Sequence, residues 1–84
     1  MRELYSVLKT GESYLSDRGD ADFAADAEIL LLHCSGLKRE DIIFNRHFLL
    51  GEEVCTAYES LLERRAGSEP TAYITGQAQF LDNI

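Results

Sequence analysis

Residues 22–35 read DFAADAEILLLHCS. When this stretch is wound as a helix, its apolar side chains cover more than one stripe of the surface, and a helix of that kind usually lies among other helices. Asp20 or Asp22 could cap its start, and Asp26 and Glu28 place negative charge in its N-terminal half, where the helix dipole favours it. We predict that residues 22–35 form the central helix of the fold.

Helical spacing continues on both sides of this stretch. Residues 2–18 predict an amphipathic helix, because their apolar positions recur at i, i+3, i+4 and i+7 (Leu4, Val7, Leu8, Gly11, Tyr14 and Leu15). Residues 38–45 predict a short helix that lacks a good N-cap residue, and residues 48–50 form an apolar connector. Residues 52–65 predict the best-defined helix, with acid at its start and arginine at its end.

The remaining signals mark where helices stop. Gly19, Gly36, Gly67 and Gly76 each follow a helical pattern, as glycines do where the backbone turns left-handed. Pro70 fits the first position of a short final helix that ends near Thr75. Strand signals are absent until residues 77–81. The predicted fold class is therefore all-α, a small bundle of about five helices over residues 1–76, with residues 77–84 as the start of an extended linker.

The composition narrows the range of partners. Fifteen acidic residues against eight Lys and Arg give a net charge of −7, which argues against nucleic-acid and anionic-lipid binding and is compatible with a basic protein partner or with a simple solvated surface. The longest apolar run, residues 29–32, is far shorter than a membrane span, and the N-terminus does not read as a signal peptide. We expect a cytoplasmic protein in which Cys34 and Cys55 are free thiols.

The sequence lacks the residue patterns that are typical of nucleotide loops and zinc sites. No two glycines lie closer than eight residues, so there is no glycine-rich nucleotide loop. The histidines and cysteines have no recognisable zinc spacing, and packing is the better explanation of a Cys–His pair (His33, Cys34, His47 and Cys55). Glu52 and Glu53 are explained by the start of a helix. We expect no catalytic, cofactor-binding or metal residue in this chain.

The C-terminal stretch carries the most information. Residues 64–80 read RRAGSEPTAYITGQAQF. A turn of helix that begins at proline, stops at glycine and leads into an extended aromatic segment is a plausible linker. The alternative is that Tyr73 and Ile74 simply close the bottom of the bundle, and the residues alone leave both possibilities open.

This stretch resembles the signature Arg-Arg-x-Gly-x-Glu-Pro-x-Ala-Tyr-Ile-x-Gly-x-x-Glu-Phe, which ends the helical domain of the HemK/PrmC family of release-factor glutamine methyltransferases. Residues 26–31, DAEILL, resemble that family's second helix. Gln79 departs from the usual glutamate, which leaves any charge role at that position in doubt. The positions that carry the motif, and the linker role implied by it, are Glu69, Pro70, Ala72, Tyr73, Ile74, Gly76 and Phe80.

The resemblance implies an activity for a longer parent protein. Members of the family transfer a methyl group from S-adenosylmethionine to the glutamine amide of the Gly-Gly-Gln loop in class-1 peptide release factors. Their Asn-Pro-Pro-Tyr motif and cofactor loop lie in a Rossmann-like domain that follows the helical one, and neither occurs in these 84 residues. We therefore expect a substrate-recognition domain that is inactive alone, cut off before its catalytic domain.

Two other interpretations were weighed. A stand-alone helical protein-interaction module remains the alternative. An acyl-carrier protein is disfavoured, because no serine here follows an aspartate. We also predict that residues 70–76 dock as a short helix and that residues 77–84 are poorly ordered in the isolated chain, since an extended segment needs a partner strand.

Overall fold

The computed structural model describes residues 1–76, and the prediction made for residues 77–84 lies outside that range. Within residues 1–76, five helices and two very short strands follow each other: β1 Arg2–Glu3, α1 Leu4–Asp17, α2 Phe23–Ser35, α3 Arg39–Phe44, β2 Leu49–Leu50, α4 Glu52–Ala66 and α5 Thr71–Thr75. The all-α bundle of about five helices is confirmed. None of the helices within residues 1–76 is long and apolar enough to cross a membrane.

Helix α2 is the centre of the bundle, as its sequence predicted. It packs against α1, α4 and α5. Three of its side chains, Ala27, Leu30 and Leu31, have no solvent exposure. Around them lies a single apolar core, made by buried residues of every helix together with Leu50 of β2. The helix is not buried on all sides, since Ile29 remains partly exposed.

Helices α1, α2 and α4 meet most closely at one tyrosine. Tyr58 of α4 is buried, and its hydroxyl donates a hydrogen bond of 2.9 Å to the backbone carbonyl oxygen of Ala27 in α2. The ring lies against Gly11 of α1, where a Cβ atom would stand only 2.0 Å from the tyrosine oxygen. Glycine is therefore required at position 11 by space, even though it lowers helix propensity.

The two short strands were missed by the sequence analysis, which placed residue 2 in a helix and expected no strand before residue 77. Strand β1 pairs antiparallel with β2, Arg2 opposite Leu50 and Glu3 opposite Leu49. The first backbone N–H groups of a helix have no partner within it. Here the N–H of Leu4 donates to the carbonyl oxygen of Phe48 (2.8 Å) and that of Tyr5 to Arg46 (2.9 Å), so the α3–β2 connection satisfies the start of α1.

Three of the four predicted left-handed glycines are confirmed: Gly19, Gly36 and Gly76 have φ between 74° and 86°. The prediction for Gly67 is wrong, because its φ is −79° and the left-handed residue is Ser68, with φ 76°. The N–H of Gly67 still donates to the carbonyl oxygen of Glu63 at 3.0 Å, so the helical hydrogen bonding reaches one residue further than expected.

The N-terminal ends of α2, α3 and α5 also differ from the sequence prediction. Asp22 occupies the N-cap position of α2, but within the described residues no side chain caps that helix, and the Asp20 carboxylate accepts instead from the N–H of Asp22 (3.0 Å). The missing N-cap of α3 is compensated by Asp41, whose carboxylate accepts from the N–H of Lys38 at 3.0 Å. Pro70 is the N-cap of α5 rather than its first residue.

Candidate functional site

The C-terminal motif forms a tight turn between α4 and α5. The guanidinium of Arg64 pairs with the carboxylate of Glu69, and the N–H of Glu69 donates to the carbonyl oxygen of Arg64 at 3.2 Å. The carbonyl oxygen of Pro70 accepts from the N–H groups of Tyr73 (3.0 Å) and Ile74 (3.2 Å), which builds the single turn of α5. The turn is thus fixed from both sides of the left-handed Ser68.

The motif residues divide into buried and exposed ones. Ile74 is only 6% exposed and belongs to the apolar core, so it does close the bundle. Tyr73 is 64% exposed, and Ala72 is also exposed. Gly76 adopts a left-handed φ of 80° at the end of α5. Phe80 lies outside the described residues, and the linker role of the seven motif positions stays a prediction.

A buried ion cluster holds this turn to the rest of the bundle. The Arg65 guanidinium at the end of α4 donates to the Asp26 carboxylate of α2 through Nε (3.1 Å) and to the Asp20 carboxylate of the α1–α2 loop through a terminal nitrogen (3.2 Å). Both carboxylates are buried, and Arg65 is three-quarters buried. We call these three residues the Arg65 clamp. It joins α2, α4 and the α1–α2 loop directly beside the entry to α5.

The two carboxyl groups of the clamp differ in their electrostatics. Burial raises the pKa of Asp20, and the neighbouring Asp26 raises it further. Burial also acts to raise the pKa of Asp26, but the neighbouring Asp20 and Thr71 and the hydrogen bond from Arg65 outweigh it, so this pKa is lowered. One carboxylate is thus held ionised against the guanidinium while its neighbour binds a proton more readily than usual.

Two surface depressions flank this region. One, of about 250 Å³, lies beside the clamp and includes Arg18, Asp22 and Ser68 in its lining. The other, a shallow groove of about 310 Å³ between α2 and α5, is lined by Ile29, Leu32, His33 and Thr75. Within residues 1–76 no group of three or more His, Cys, Asp or Glu side chains is arranged to hold a metal ion.

The cysteine, histidine and adjacent glutamate side chains differ in exposure and in the groups they contact. Cys34 and Cys55 are free, and burial raises the pKa of Cys34 to about 11, which disfavours the reactive thiolate. His33 is exposed, and His47 contacts Glu3 at 2.7 Å on the surface. Glu52 and Glu53 are exposed in the first turn of α4.

The clamp is not evident from the sequence, in which Asp26 and Arg65 are each explained separately as a charge that complements a helix dipole. The signal that could have revealed the cluster is a charge pattern on predicted faces: Asp26 lies on the same helix face as the buried Ala27 and Leu30, so a carboxylate there requires a cationic partner. Which cation supplies it, 39 residues away, cannot be read from spacing.

Known proteins similar to this chain agree with one another. The sequence model of the PrmC N-terminal domain family matches residues 6–76. A release factor glutamine methyltransferase of Bifidobacterium longum is 34% identical over 79 residues, which cover 88% of this chain and 26% of that protein. One of Escherichia coli is 36% identical over 80 residues (95% and 26%), and one of Bacillus subtilis is 29% identical over 80 residues (95% and 27%).

The extent of these matches is as informative as their names. The chain spans about a quarter of the length of the curated relatives it matches, whereas those relatives cover most of the chain. No solved structure matches the chain. Because the family model covers residues 6–76, nearly all of the helical bundle described above, the chain belongs to the PrmC N-terminal domain family.

Proposed function

We propose that residues 1–76 are the substrate-recognition domain of a protein methyltransferase that acts on class-1 peptide release factors. Residues 77–84 would begin the linker to a Rossmann-like catalytic domain. The observation that carries this proposal is the family match over residues 6–76, together with relatives named release factor glutamine methyltransferases that are about four times as long.

The reaction belongs to the longer protein. It transfers a methyl group from S-adenosylmethionine to the side-chain amide nitrogen of the glutamine in the release factor's Gly-Gly-Gln loop. The 84 residues contain neither a glycine-rich cofactor loop nor an Asn-Pro-Pro-Tyr sequence. The domain therefore contributes binding and orientation, and it has no methyltransferase activity by itself.

Binding at a distance is useful for this chemistry. An amide nitrogen is a poor nucleophile, so the reaction gains from contacts that fix the substrate's position far from the reacting atoms. For such contacts to orient the substrate, the domain must itself be held in place relative to the catalytic part. The Arg65 clamp fixes the end of α4, and the buried Ile74 anchors α5, the last element before the proposed linker.

A binding experiment tests the proposal directly. Titration calorimetry of the 84-residue chain with a purified class-1 release factor should give saturable binding, and titration with S-adenosylmethionine should give none. A release factor whose Gly-Gly-Gln glutamine is replaced by alanine is the matched control. It should bind as well as the natural one, because this domain contacts other parts of the substrate. Binding of S-adenosylmethionine by the chain alone would contradict the proposed division of labour.

The alternative is a helical interaction module with no enzyme attached. The sequence encoded after residue 84 separates the two possibilities. An Asn-Pro-Pro-Tyr motif and a cofactor loop in the following 200 or so residues, about the size of one more domain, support the methyltransferase. Their absence would favour the stand-alone module.

A further inference from the structure

A second surface, remote from the C-terminal motif, is exposed and apolar. Five large apolar residues there are between 51% and 78% exposed, and Tyr5 beside them is also exposed. Two are the last residues of α3, two follow in the α3–β2 connection and β2, and one is the first residue of the chain. We call these residues the end patch: Met1, Tyr5, Ile43, Phe44, Phe48 and Leu49.

Backbone hydrogen bonds join the two parts of the chain that carry these residues. Glu3 of β1 pairs with Leu49 of β2, and the N–H of Leu4 donates to the carbonyl oxygen of Phe48 at 2.8 Å. The N–H of Tyr5 donates to the carbonyl oxygen of Arg46 at 2.9 Å. These backbone bonds fix residues 46–49 against the start of α1, so the apolar side chains are presented on ordered backbone.

The large apolar side chains of the patch are not explained by packing in the core. Only Ile42 of α3 is buried among the three consecutive apolar residues 42–44, and Phe44 is 78% exposed. Scattered single apolar residues are normal on a surface, but adjacent large ones usually mark an interaction site. Aromatic side chains are especially suited to it, because each buries much apolar area at a low cost in conformational entropy.

Cationic side chains lie beside the patch, although the chain as a whole is acidic. The Arg46 guanidinium lies 4.9 Å from the centroid of the Tyr5 ring and the Lys9 ammonium 5.3 Å from it. Among residues 1–76, neither Arg46 nor Arg2 has a carboxylate within 4.0 Å, and the nearby Glu3 is engaged by His47. A chain of net charge −7 therefore presents uncompensated cations beside its exposed aromatics.

The cations continue into an open groove along α1. It has a volume of about 540 Å³ and is lined by Tyr5, Ser6, Lys9, Thr10 and Ser13. The Thr10 hydroxyl donates to the carbonyl oxygen of Ser6 (3.0 Å) and the Lys9 ammonium is paired with Glu12 (3.3 Å). The hydroxyl groups of Ser6 and Ser13 remain able to donate hydrogen bonds to carboxylate oxygens. The patch and groove together complement a surface with apolar side chains at its centre and acidic side chains at its rim.

A second copy of the chain, nucleic acid and the chain's own continuation each fit the patch less well than an acidic protein surface. A second copy placed symmetrically would set this patch with its arginines against an identical patch, so their charges would not be complemented. Nucleic acid would be repelled by the acidic remainder of the domain. The chain continues past residue 76 from α5, which packs against α2 and α4 and not against β1 or β2 as its main contacts.

We propose that the end patch docks an acidic protein surface that carries exposed apolar side chains. This inference rests on the proposed function, under which that surface belongs to the release factor. Phe44 and Phe48 supply the apolar contact, and Arg46 and Arg2 supply the charge complementarity. Binding through this patch is accordingly weakened by salt.

The test compares patch variants with matched variants elsewhere, in calorimetric titrations of the 84-residue chain with a class-1 release factor. Phe44→Ser and Arg46→Glu should each weaken binding at least about tenfold, the loss expected for a central contact. Tyr73→Ser, at an equally exposed aromatic on α5, and Arg18→Glu, at the far end of α1, should change it less than about twofold, as surface positions outside an interface do. Circular dichroism establishes that all four variants are folded.

The outcomes distinguish this inference from the function on which it rests. If the unmodified chain does not bind the release factor, the proposed function fails and this inference fails with it. If it binds and the patch variants bind equally well, only the docking surface is wrong. Sedimentation showing a dimer that Phe44→Ser abolishes would overturn the inference in favour of a second copy. Binding of an RNA oligonucleotide that Arg46→Glu abolishes would overturn it in favour of nucleic acid.

Discussion

Gly11 is a residue whose identity is set by a single neighbour. In an isolated helix, replacing an interior glycine with alanine stabilises by about 1 kcal/mol. At position 11 the added methyl would stand 2.0 Å from the Tyr58 oxygen, which is itself fixed by its bond to Ala27. We expect Gly11→Ala to destabilise the fold by about 1–3 kcal/mol, the usual cost of overpacking, as measured by urea unfolding.

Gly67→Ala is the matched control for that variant. Gly67 has an ordinary φ of −79°, and a Cβ there would meet nothing closer than 3.4 Å. Its replacement should be neutral or stabilise by up to about 1 kcal/mol, through loss of freedom in the unfolded chain. Equal stability of the Gly11→Ala variant and the unmodified chain would mean that α1 and α4 are further apart than described.

Ser68 gives a prediction of the opposite sign. It is the one non-glycine residue with positive φ among residues 1–76, at 76°. A side chain costs roughly 1 kcal/mol in this conformation, and glycine avoids that cost. Ser68→Gly should therefore raise the free energy of unfolding by about 0.5–1 kcal/mol. Ser60→Gly, at an exposed position within α4, should lower it by roughly 0.5 kcal/mol, so a loss of stability in both variants would contradict the left-handed turn.

Among the elements, the Arg65 clamp makes the stability of the bundle depend on pH in two directions. The pKa of Asp26 is lowered from 3.8, so its contribution is present above about pH 3.8 and is lost as pH falls through its folded value. The pKa of Asp20 is raised from 3.8, so its contribution is present below about pH 3.8 and is lost as pH rises through its folded value.

Two asparagine variants separate these effects. Relative to the unmodified chain, Asp26→Asn should lose stability as pH rises toward 3.8 and stay less stable at neutral pH. Asp20→Asn should instead gain relative stability as pH rises above 3.8, because it avoids ionising a buried carboxyl. Urea unfolding of the three proteins between about pH 2.5 and 7, the range that brackets an ordinary aspartate, gives the comparison. Parallel pH curves for the two variants would contradict the assignment.

An element can be predicted from the sequence when the pattern that determines it is local. Helices α1, α2 and α4 were predicted nearly to their ends, because their apolar period is repeated over three or more turns. The pairing of β1 with β2 involves only two residues on each side and depends on backbone groups 46 residues apart, so no local pattern announces it. The Arg65 clamp escaped for the same reason, although its members were each noticed.

The candidate sites likewise divide into one that local sequence predicts and one that it does not. The C-terminal motif was found because its proline and glycine act locally on the backbone, and α5 does lie between Pro70 and Gly76. The end patch was not found, because an apolar residue that is exposed reads no differently from a buried one. Ile43, Phe44 and Phe48 were interpreted only as parts of a helix and an apolar connector, and their exposure depends on which face Ile42 turns to the core.

At the scale of the whole molecule, the two described regions lie at opposite ends of α1. The clamp joins the loop that follows Asp17, and the end patch surrounds the start of the helix at Leu4, about 20 Å away along a helix of 14 residues. A rigid bundle between them lets a contact made at the patch fix the direction in which α5 leads onward. This arrangement depends on the bundle unfolding as one unit.

Leu30→Ala tests that cooperativity. Leu30 is fully buried in α2, which contacts α1, α4 and α5, so the cavity it leaves is shared by the whole bundle. We expect a loss of about 2–5 kcal/mol. Because small bundles unfold in an all-or-none manner, hydrogen exchange of the core amides in α1, α2 and α4 should accelerate by the same factor in all three helices. Phe44→Ala, at an exposed position, should change stability by less than about 0.5 kcal/mol. If Leu30→Ala accelerated exchange in α2 alone, the helices would open independently, and a contact at the end patch could not fix the direction of α5.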